Sequence, residues 1–134
     1  LIGLALAALV TERPWRRSQV TWSTNLDAAL TQAQATGKPV FVEVYAAWCG
    51  PCHMMDRDTF TDPEVGRELK GFFPVHFDSD GRGAAGHMRA WQADVLPTHL
   101  VLNSDGSLRA KTYGAMGPKQ FLAWLRSAEP RGRD

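Results

Sequence analysis

The chain has 134 residues, of which 44% are hydrophobic and 22% charged, and its formal net charge is +1. These values predict one soluble globular domain with its own hydrophobic core. The small net charge and scattered basic residues give no reason to expect nucleic-acid binding. A core of this size does not need disulfide bonds for stability, so the two cysteines are free to serve chemistry.

The N-terminal segment Leu1–Val10 is uncharged and almost wholly apolar. As a helix it would be about 15 Å long, roughly half of a bilayer's hydrocarbon core. We therefore interpret residues 1–18 as the remnant of a membrane-spanning segment or signal peptide followed by a linker, with a packed helix or strand as the alternative. Residues 19–128 are predicted to form the folded domain, and residues 129–134 a polar tail.

Apolar periodicity and turn residues predict alternating strands and helices. Residues 39–46 form the best strand, because they are nearly continuous in apolar side chains, as in the buried centre of a sheet. Gly37 ends the helix before it, and a turn at 104–106 makes a hairpin of the last two strands. In chain order we predict a strand at 19–23, a helix at 26–35, a strand at 39–46, helices at 51–59 and 63–70, a strand at 72–78, a helix at 84–92, strands at 98–103 and 108–113, and a helix at 118–127.

The most informative motif lies between the predicted strand at 39–46 and the helix that follows, and reads Trp48-Cys49-Gly50-Pro51-Cys52. Two thiols at this spacing can close a small disulfide and reopen it. A thiol at a helix N-terminus is biased toward the thiolate, because unpaired backbone N–H groups and the helix dipole favour negative charge there. The motif therefore predicts thiol–disulfide exchange.

Three alternatives to redox chemistry are weighed against this interpretation. A structural disulfide would close a loop of only two residues and would constrain the unfolded chain little. The pattern Cys-x-x-Cys followed by His53 also fits covalent haem attachment, but the strand-rich pattern is not typical of such cytochromes. A zinc site would need two further ligands, and the four histidines show no paired spacing; they are His53, His76, His87 and His99.

Two separated motifs resemble those of thioredoxin-like proteins, over about residues 20–127. Residues 48–52 match the thioredoxin active-site sequence itself. Val95-Leu96-Pro97-Thr98 stands just before a predicted strand, where thioredoxin-like proteins keep a cis-proline that faces the dithiol. The resemblance implies an α/β thioredoxin fold, with a central mixed sheet of about five strands flanked by helices.

A closer resemblance is to the C-terminal periplasmic domain of DsbD-type thiol:disulfide interchange proteins. In that family the helix after the cysteines leads into Thr-Phe-Ser/Thr-Asp-Pro, and residues 58–65 here read Asp-Thr-Phe-Thr-Asp-Pro-Glu-Val. Arg57 stands where cytosolic thioredoxins usually have a kinking proline. The chain departs from this family at Gly50 and Pro51, since DsbD-type domains usually have other residues between the cysteines.

Four residues are predicted to carry the catalytic chemistry. Cys49 is the attacking nucleophile, because the helix start leaves it more exposed and favours its thiolate, and Cys52 is the thiol that resolves the mixed disulfide. Glu43 shares a strand face with two aromatic residues, which predicts burial, a raised pKa and a role in taking the proton of Cys52 through water. Asp56 matches an acidic residue that DsbD-type domains carry near the dithiol, with an exposed helix charge as the alternative.

The resemblance also implies a substrate-binding surface around the dithiol. Pro97 is expected to keep the backbone of Leu96 open for pairing with a substrate segment and to keep metal away from the thiols. Trp48, Gly50 and Pro51 are expected to supply contact surface beside Cys49. Thioredoxins usually pair the buried acid with a lysine, and the sequence places Pro74 at the matching position.

The predicted function is that of a thiol–disulfide oxidoreductase, acting as a reductase or electron relay through a mixed disulfide on Cys49. The alternatives are a disulfide-forming oxidant and a non-catalytic binding module of the same fold. No cofactor beyond the Cys49–Cys52 disulfide, and no metal, is expected. Predicted partners are protein thiols and disulfides, namely a membrane electron donor and extracytoplasmic acceptor proteins, with no nucleic acid. We expect a periplasmic monomer, with a membrane tether through the N-terminus as one possibility; the arginines at 13, 16 and 17 support the cytoplasm as the alternative.

Overall fold

The computed structural model describes residues 17–130, so the apolar segment Leu1–Val10 and the end of the predicted tail lie outside the described residues. Among residues 17–130, no helix has both the length and the apolar character that crossing a bilayer requires. The described part of the chain contains nine elements in the order α1 (Leu26–Thr36), β1 (Val40–Tyr45), α2 (Gly50–Asp58), α3 (Pro63–Leu69), β2 (Phe73–Asp78), α4 (Ala84–Trp91), β3 (Thr98–Leu102), β4 (Leu108–Tyr113) and α5 (Pro118–Ala128).

The four strands form one mixed sheet in the order β2-β1-β3-β4. β1 is parallel to β2 and antiparallel to β3, and β3 is antiparallel to β4. β1 is therefore an inner strand with neighbours on both sides, as its apolar run predicted. The fold prediction is confirmed in its class, with four strands rather than five.

Helices cover both faces of the sheet. Because successive side chains of a strand point to opposite faces, β1 contributes to two cores. Phe41 belongs to a core that includes residues of α2, α3 and α5. Val42 and Val44 belong to the other core, with residues of α1 and α4. Glu43 and Tyr45 follow Phe41 in the period of two, so the face that carries Glu43 is the one that the helix of the cysteine motif covers.

The strand predicted at 19–23 is wrong: Ser23 makes a single parallel bridge to Val75 on the outer edge of β2. The N–H of Ser23 donates to the carbonyl of Pro74 at 2.9 Å, and the N–H of His76 donates to the carbonyl of Ser23 at 2.8 Å. To extend this pairing backward, the carbonyl of Thr21 would need a donor at Pro74, and proline has no N–H. The pairing therefore stops after one bridge.

Candidate active site

The cysteine pair lies where β1 passes into α2. Cys49 is the N-cap of α2, and its Sγ accepts a hydrogen bond from the backbone N–H of Cys52 at 3.2 Å. Pro51 occupies the first turn of the helix, where a missing N–H costs nothing. The two sulfurs are joined in a disulfide. A thiolate on Cys49 would face the same N–H donor and the positive end of the helix, as the sequence predicted.

The difference in exposure predicted between the two cysteines is not present in the disulfide form. Cys49 is 3% exposed and Cys52 is 1% exposed, because both pack in a small cluster with Ala46, next to Tyr45 and Leu96. What distinguishes the sulfurs is position. Cys49 borders a surface groove, and Cys52 does not. An incoming group in that groove therefore meets Cys49 first.

Glu43 lies within β1 and its side chain is fully buried. Burial disfavours the charged carboxylate and is the main reason why the pKa of Glu43 rises from 4.5 to about 7. The neighbouring His76 lowers that pKa, and Asp56 adds a smaller increase. The structure thus has Glu43 buried with a raised pKa, as predicted, while its role in proton transfer stays a prediction.

The expectation that Pro74 faces the buried acid is wrong. The register of the parallel pair β1–β2 sets His76 opposite Glu43, and Pro74 opposite Phe41. Nε2 of His76 lies 3.3 Å from Oε2 of Glu43. The distance suits an ion pair with a protonated imidazole, but the two groups are not aligned as a hydrogen bond, so both oxygens of Glu43 and this nitrogen are buried without a hydrogen-bond partner among the described residues.

Aromatic rings hold His76 in this place. The ring of Tyr45 stacks on the imidazole, with a centroid distance of 3.6 Å and an angle of 10° between the planes. The ring of Trp22 also packs against the imidazole, with a centroid distance of 5.0 Å. The side chain of His76 keeps 20% exposure. The imidazole therefore lies between the fully buried carboxyl group of Glu43 and the protein surface.

Asp56 lies on α2, one turn beyond Cys52, and comes close to the same cluster. Partial burial raises the pKa of Asp56, while the positive charges of His76 and His53 would lower it. One ligand-type atom each of Glu43, Asp56 and His76 lies within 4.8 Å of the others. This is the only set within residues 17–130 with the residue types and spacing that could hold a metal ion. It includes neither cysteine, so the described histidines do not form a zinc site around the cysteine pair.

The groove beside Cys49 is lined by four of the five residues that were predicted to bind substrate, whereas Pro97 is buried and not part of the lining. The Leu96–Pro97 bond is cis, as the resemblance implies. Among residues 17–130, the backbone N–H and C=O of Leu96 have no hydrogen-bond partner. Trp48 is 72% exposed, and its Nε1–H donates to Oδ2 of Asp80 at 2.7 Å. The ring of Trp48 is thus anchored at the surface, with Gly50, Pro51 and Leu96 also in the lining.

Sequence reasoning missed two residues of this site, His76 and Asp80. His76 stands on a strand of mixed polarity, and only the β1–β2 register shows that it faces Glu43. Asp80 sits in the loop after β2, and its link to Trp48 is made across the site. No sequence signal pointed to Asp80, because the N–H of an exposed tryptophan can bond to water and needs no protein partner.

Comparison with known proteins agrees with this site. The family model described as thioredoxin-like matches residues 21–104. The thiol:disulfide interchange protein DsbD of Haemophilus ducreyi is 32% identical over 111 residues, which cover 80% of this chain and 19% of that protein. DsbD of Klebsiella pneumoniae is 33% identical over an aligned length of 145 residues, which covers 93% of this chain and 24% of that protein. The chain thus spans only about a fifth of the length of these curated relatives.

Solved structures agree in fold. The C-terminal domain of DsbD from Neisseria meningitidis in the reduced form gives a TM-score of 0.64 at 26% identity, over 78% of this chain and 94% of that one. A thioredoxin from Thermus thermophilus gives 0.71 at 26% identity, over 81% and 86%. A closed cysteine pair at the start of α2, on this fold, is an arrangement that can carry out thiol–disulfide exchange. The chain belongs to the thioredoxin-like family.

Proposed function

We propose that this chain is a protein-disulfide reductase domain that relays electrons from a membrane donor to extracytoplasmic acceptor proteins. The observation that carries the proposal is the placement of Cys49, which combines the N-cap of α2 with the edge of an open groove. The similarity to DsbD supports the choice of electron relay. A monomer on the periplasmic side, tethered through its N-terminal segment, is the arrangement that fits this role.

The first step of the proposed reaction is attack of the Cys49 thiolate on a disulfide of the partner. A new sulfur–sulfur bond forms between Cys49 and one partner sulfur, and the second partner sulfur leaves as a thiolate that takes a proton from water. The N–H of Cys52 and the helix dipole stabilise the attacking thiolate. The backbone groups of Leu96 and the anchored ring of Trp48 hold the partner segment in the groove.

The second step is attack of Cys52 on Cys49. The Cys52 thiol gives its proton through water to ionised Glu43, and its sulfur then forms the intramolecular disulfide, so the bound partner sulfur leaves reduced. A pKa of about 7 leaves Glu43 able both to take and to give this proton near neutral pH. Asp56 keeps negative charge near the pair and supports the uptake of that proton. No cofactor enters either step.

A trapping experiment tests this assignment. Reduced Cys52→Ser protein should accumulate a mixed disulfide with a disulfide-containing substrate protein, because the resolving thiol is missing. Cys49→Ser should form no such adduct and should lose disulfide reductase activity. Mass spectrometry detects the adduct in each variant, and a disulfide reductase assay measures the activity. Activity toward partners that survives Cys49→Ser would instead identify a binding module without redox chemistry.

The direction of electron flow is tested separately. Equilibration of the Cys49–Cys52 pair with glutathione buffers, followed by thiol alkylation, gives its reduction potential. The reducing role predicts a value near that of thioredoxin, about −270 mV. A value near about −120 mV, typical of a strong oxidant, would reject the reductase assignment while leaving thiol–disulfide exchange intact.

A further inference from the structure

The groove beside Cys49 has a cavity volume of about 430 Å³. Its lining includes apolar surface from Trp48, Pro51, Met88 and Leu96. Adjacent Val95 is 49% exposed, which extends this apolar surface beyond the groove itself. An exposed apolar surface that borders a reactive sulfur suits an extended segment of another protein, because burial of that surface stabilises the encounter.

The charged side chains that line the groove are all acidic. Asp80 and Asp94 line it, and no Lys, Arg or His is part of the lining among the described residues. Lys111 is not part of the lining, and its ammonium group donates to the carbonyl oxygens of Trp91 and Gln92 at 3.1 and 3.4 Å. Asp80 uses Oδ2 to anchor Trp48, and Asp94 is exposed. The groove therefore offers two carboxylates and apolar surface to a molecule that approaches Cys49.

We propose that the groove selects partner segments that carry a lysine or arginine next to their cysteine. The apolar residues would bind the segment, Leu96 would pair with its backbone, and the carboxylates would attract the flanking cation. An acidic residue in the same position would be repelled by Asp80 and Asp94. This inference rests on the proposed function, because it names the substrate class of Cys49.

The expected selectivity is modest and depends on salt. Ion pairs between exposed groups change an equilibrium by up to about 5-fold each. We therefore expect a preference of about 5-fold for lysine over glutamate at low ionic strength. At 1 M salt the Debye length falls to about 3 Å, so the preference should approach one.

The test uses three disulfide-linked peptide dimers that differ only beside the cysteine, which is flanked by lysine, glutamine or glutamate. Their reduction by the fully reduced protein is followed at low and high salt. Flanking charges also change the intrinsic reactivity of a disulfide toward a thiolate, so each rate is divided by the rate with dithiothreitol, which carries no charge besides that of its reacting thiolate. The corrected ratio of lysine to glutamate peptide isolates the contribution of the groove.

Variants identify the residue responsible. Asp94→Asn should roughly halve the corrected ratio, and Asp94→Lys should bring it to or below one, because the exposed side chain then attracts the glutamate peptide. Asp80→Asn keeps an oxygen that can accept from Trp48 and should also lower the ratio. Asp27→Asn removes the same charge at the first turn of α1, outside the groove, and should leave the ratio unchanged.

The outcomes separate this inference from the proposed function. A corrected ratio near one at low salt, or one that Asp94→Lys leaves unchanged, overturns the inference even if all peptides are reduced. If the protein reduces none of the peptides, the proposed function fails. In that case the mixed disulfides of Cys52→Ser with the three peptides are prepared chemically and titrated with dithiothreitol. Equal stabilities of the lysine and glutamate adducts would then also reject charge selection.

Discussion

Two histidines flank Glu43 in the same row of the sheet, and they differ in almost every property. His76 faces Glu43 from β2, and His99 faces it from β3. His76 keeps contact with the surface and comes within 3.3 Å of the carboxylate. His99 is fully buried, and its Nε2–H donates to the carbonyl of Gly114 at 3.2 Å.

The surroundings of His99 make it a structural residue. Its ring stacks with Phe41 and contacts Phe121 and Trp124. Burial lowers the pKa of His99 to about 4, despite the opposing effect of its hydrogen bond to Gly114. His99 therefore stays neutral wherever the protein is folded near neutral pH. Residue type and sheet position alone do not assign a role to a histidine; its access to solvent and to a carboxylate does.

The largest expected effect comes from Glu43→Gln. The pKa of Glu43 is higher in the folded protein than in the unfolded chain, so its contribution to stability is complete below about pH 4.5 and is lost as pH rises through about 7. Between pH 5 and pH 8 this loss is about 2.5 kcal/mol. Glu43→Gln should remove it, so the variant should exceed the wild type in free energy of unfolding at pH 8.

Urea unfolding of the disulfide form at several pH values checks this, since no thiol titrates there. Glu64→Gln is the matched control, because Glu64 is exposed and pairs with Arg126 at the surface. Glu43→Gln should also slow the resolution of the mixed disulfide by about 100-fold, because the proton acceptor is gone. Identical pH profiles for wild type and Glu43→Gln would show that Glu43 does not titrate as the structure implies.

The next effect is expected from His99→Gln, with the opposite dependence on pH. The unfolded chain binds a proton at this residue near pH 6.5, and the folded protein does so only near pH 4. The contribution of His99 to wild-type stability should therefore fall by about 2 kcal/mol between pH 7 and pH 5, against a gain of similar size from Glu43 over the same range. His99→Gln should lose most of this fall, although it also loses ring packing at every pH.

The same urea unfolding measurement, at pH 5 and pH 7, tests His99. His87→Gln serves as the comparison variant, because His87 packs against Phe77 and Trp91 on the other side of the sheet. Its change in free energy of unfolding between pH 7 and pH 5 should equal that of the wild type, whereas the change for His99→Gln should be more favourable by most of the roughly 2 kcal/mol. If His99→Gln also changed by the same amount as the wild type, His99 would not be the neutral structural residue described above.

The smallest effects should come from His76, and they separate charge from packing. His76 lowers the pKa of Glu43, so His76→Leu should raise that pKa further and His76→Lys should lower it. The carboxyl resonance of Glu43, followed by carbon NMR against pH, measures both shifts. Both variants lose the stacking with Tyr45, so a purely structural role of His76 would shift the pKa of Glu43 in the same direction in both.

Local signals were enough to predict the fold class and the cysteine chemistry. The thioredoxin fold is confirmed, and the strand, the cysteine pair and its helix that predicted it are contiguous from Val40 to Asp58. The burial of Glu43 followed from period-two alternation alone. The helix caps are residue types that favour this position: Asn25 caps α1 and Asp62 caps α3, each with a side-chain oxygen that accepts from backbone N–H groups.

What the sequence could not provide was register. Glu43 and His76 meet because two parallel strands align residue by residue, and nothing within either strand specifies that alignment. The choice of Pro74 as the residue facing the acid was two positions away from the one observed. The exposure of Cys49 was overestimated because it depends on tertiary neighbours such as Leu96, which comes from a distant loop.

The proline in β2 has a consequence for how this protein behaves in concentrated solution. The outward-facing backbone donors of β2 fall at Pro74, His76 and Asp78. Pro74 has no N–H, and the N–H of His76 is already bonded to Ser23. Only Asp78 remains, at the end of the strand. This border of the sheet therefore offers few backbone donors to a strand of another molecule, which disfavours edge-to-edge association through β2.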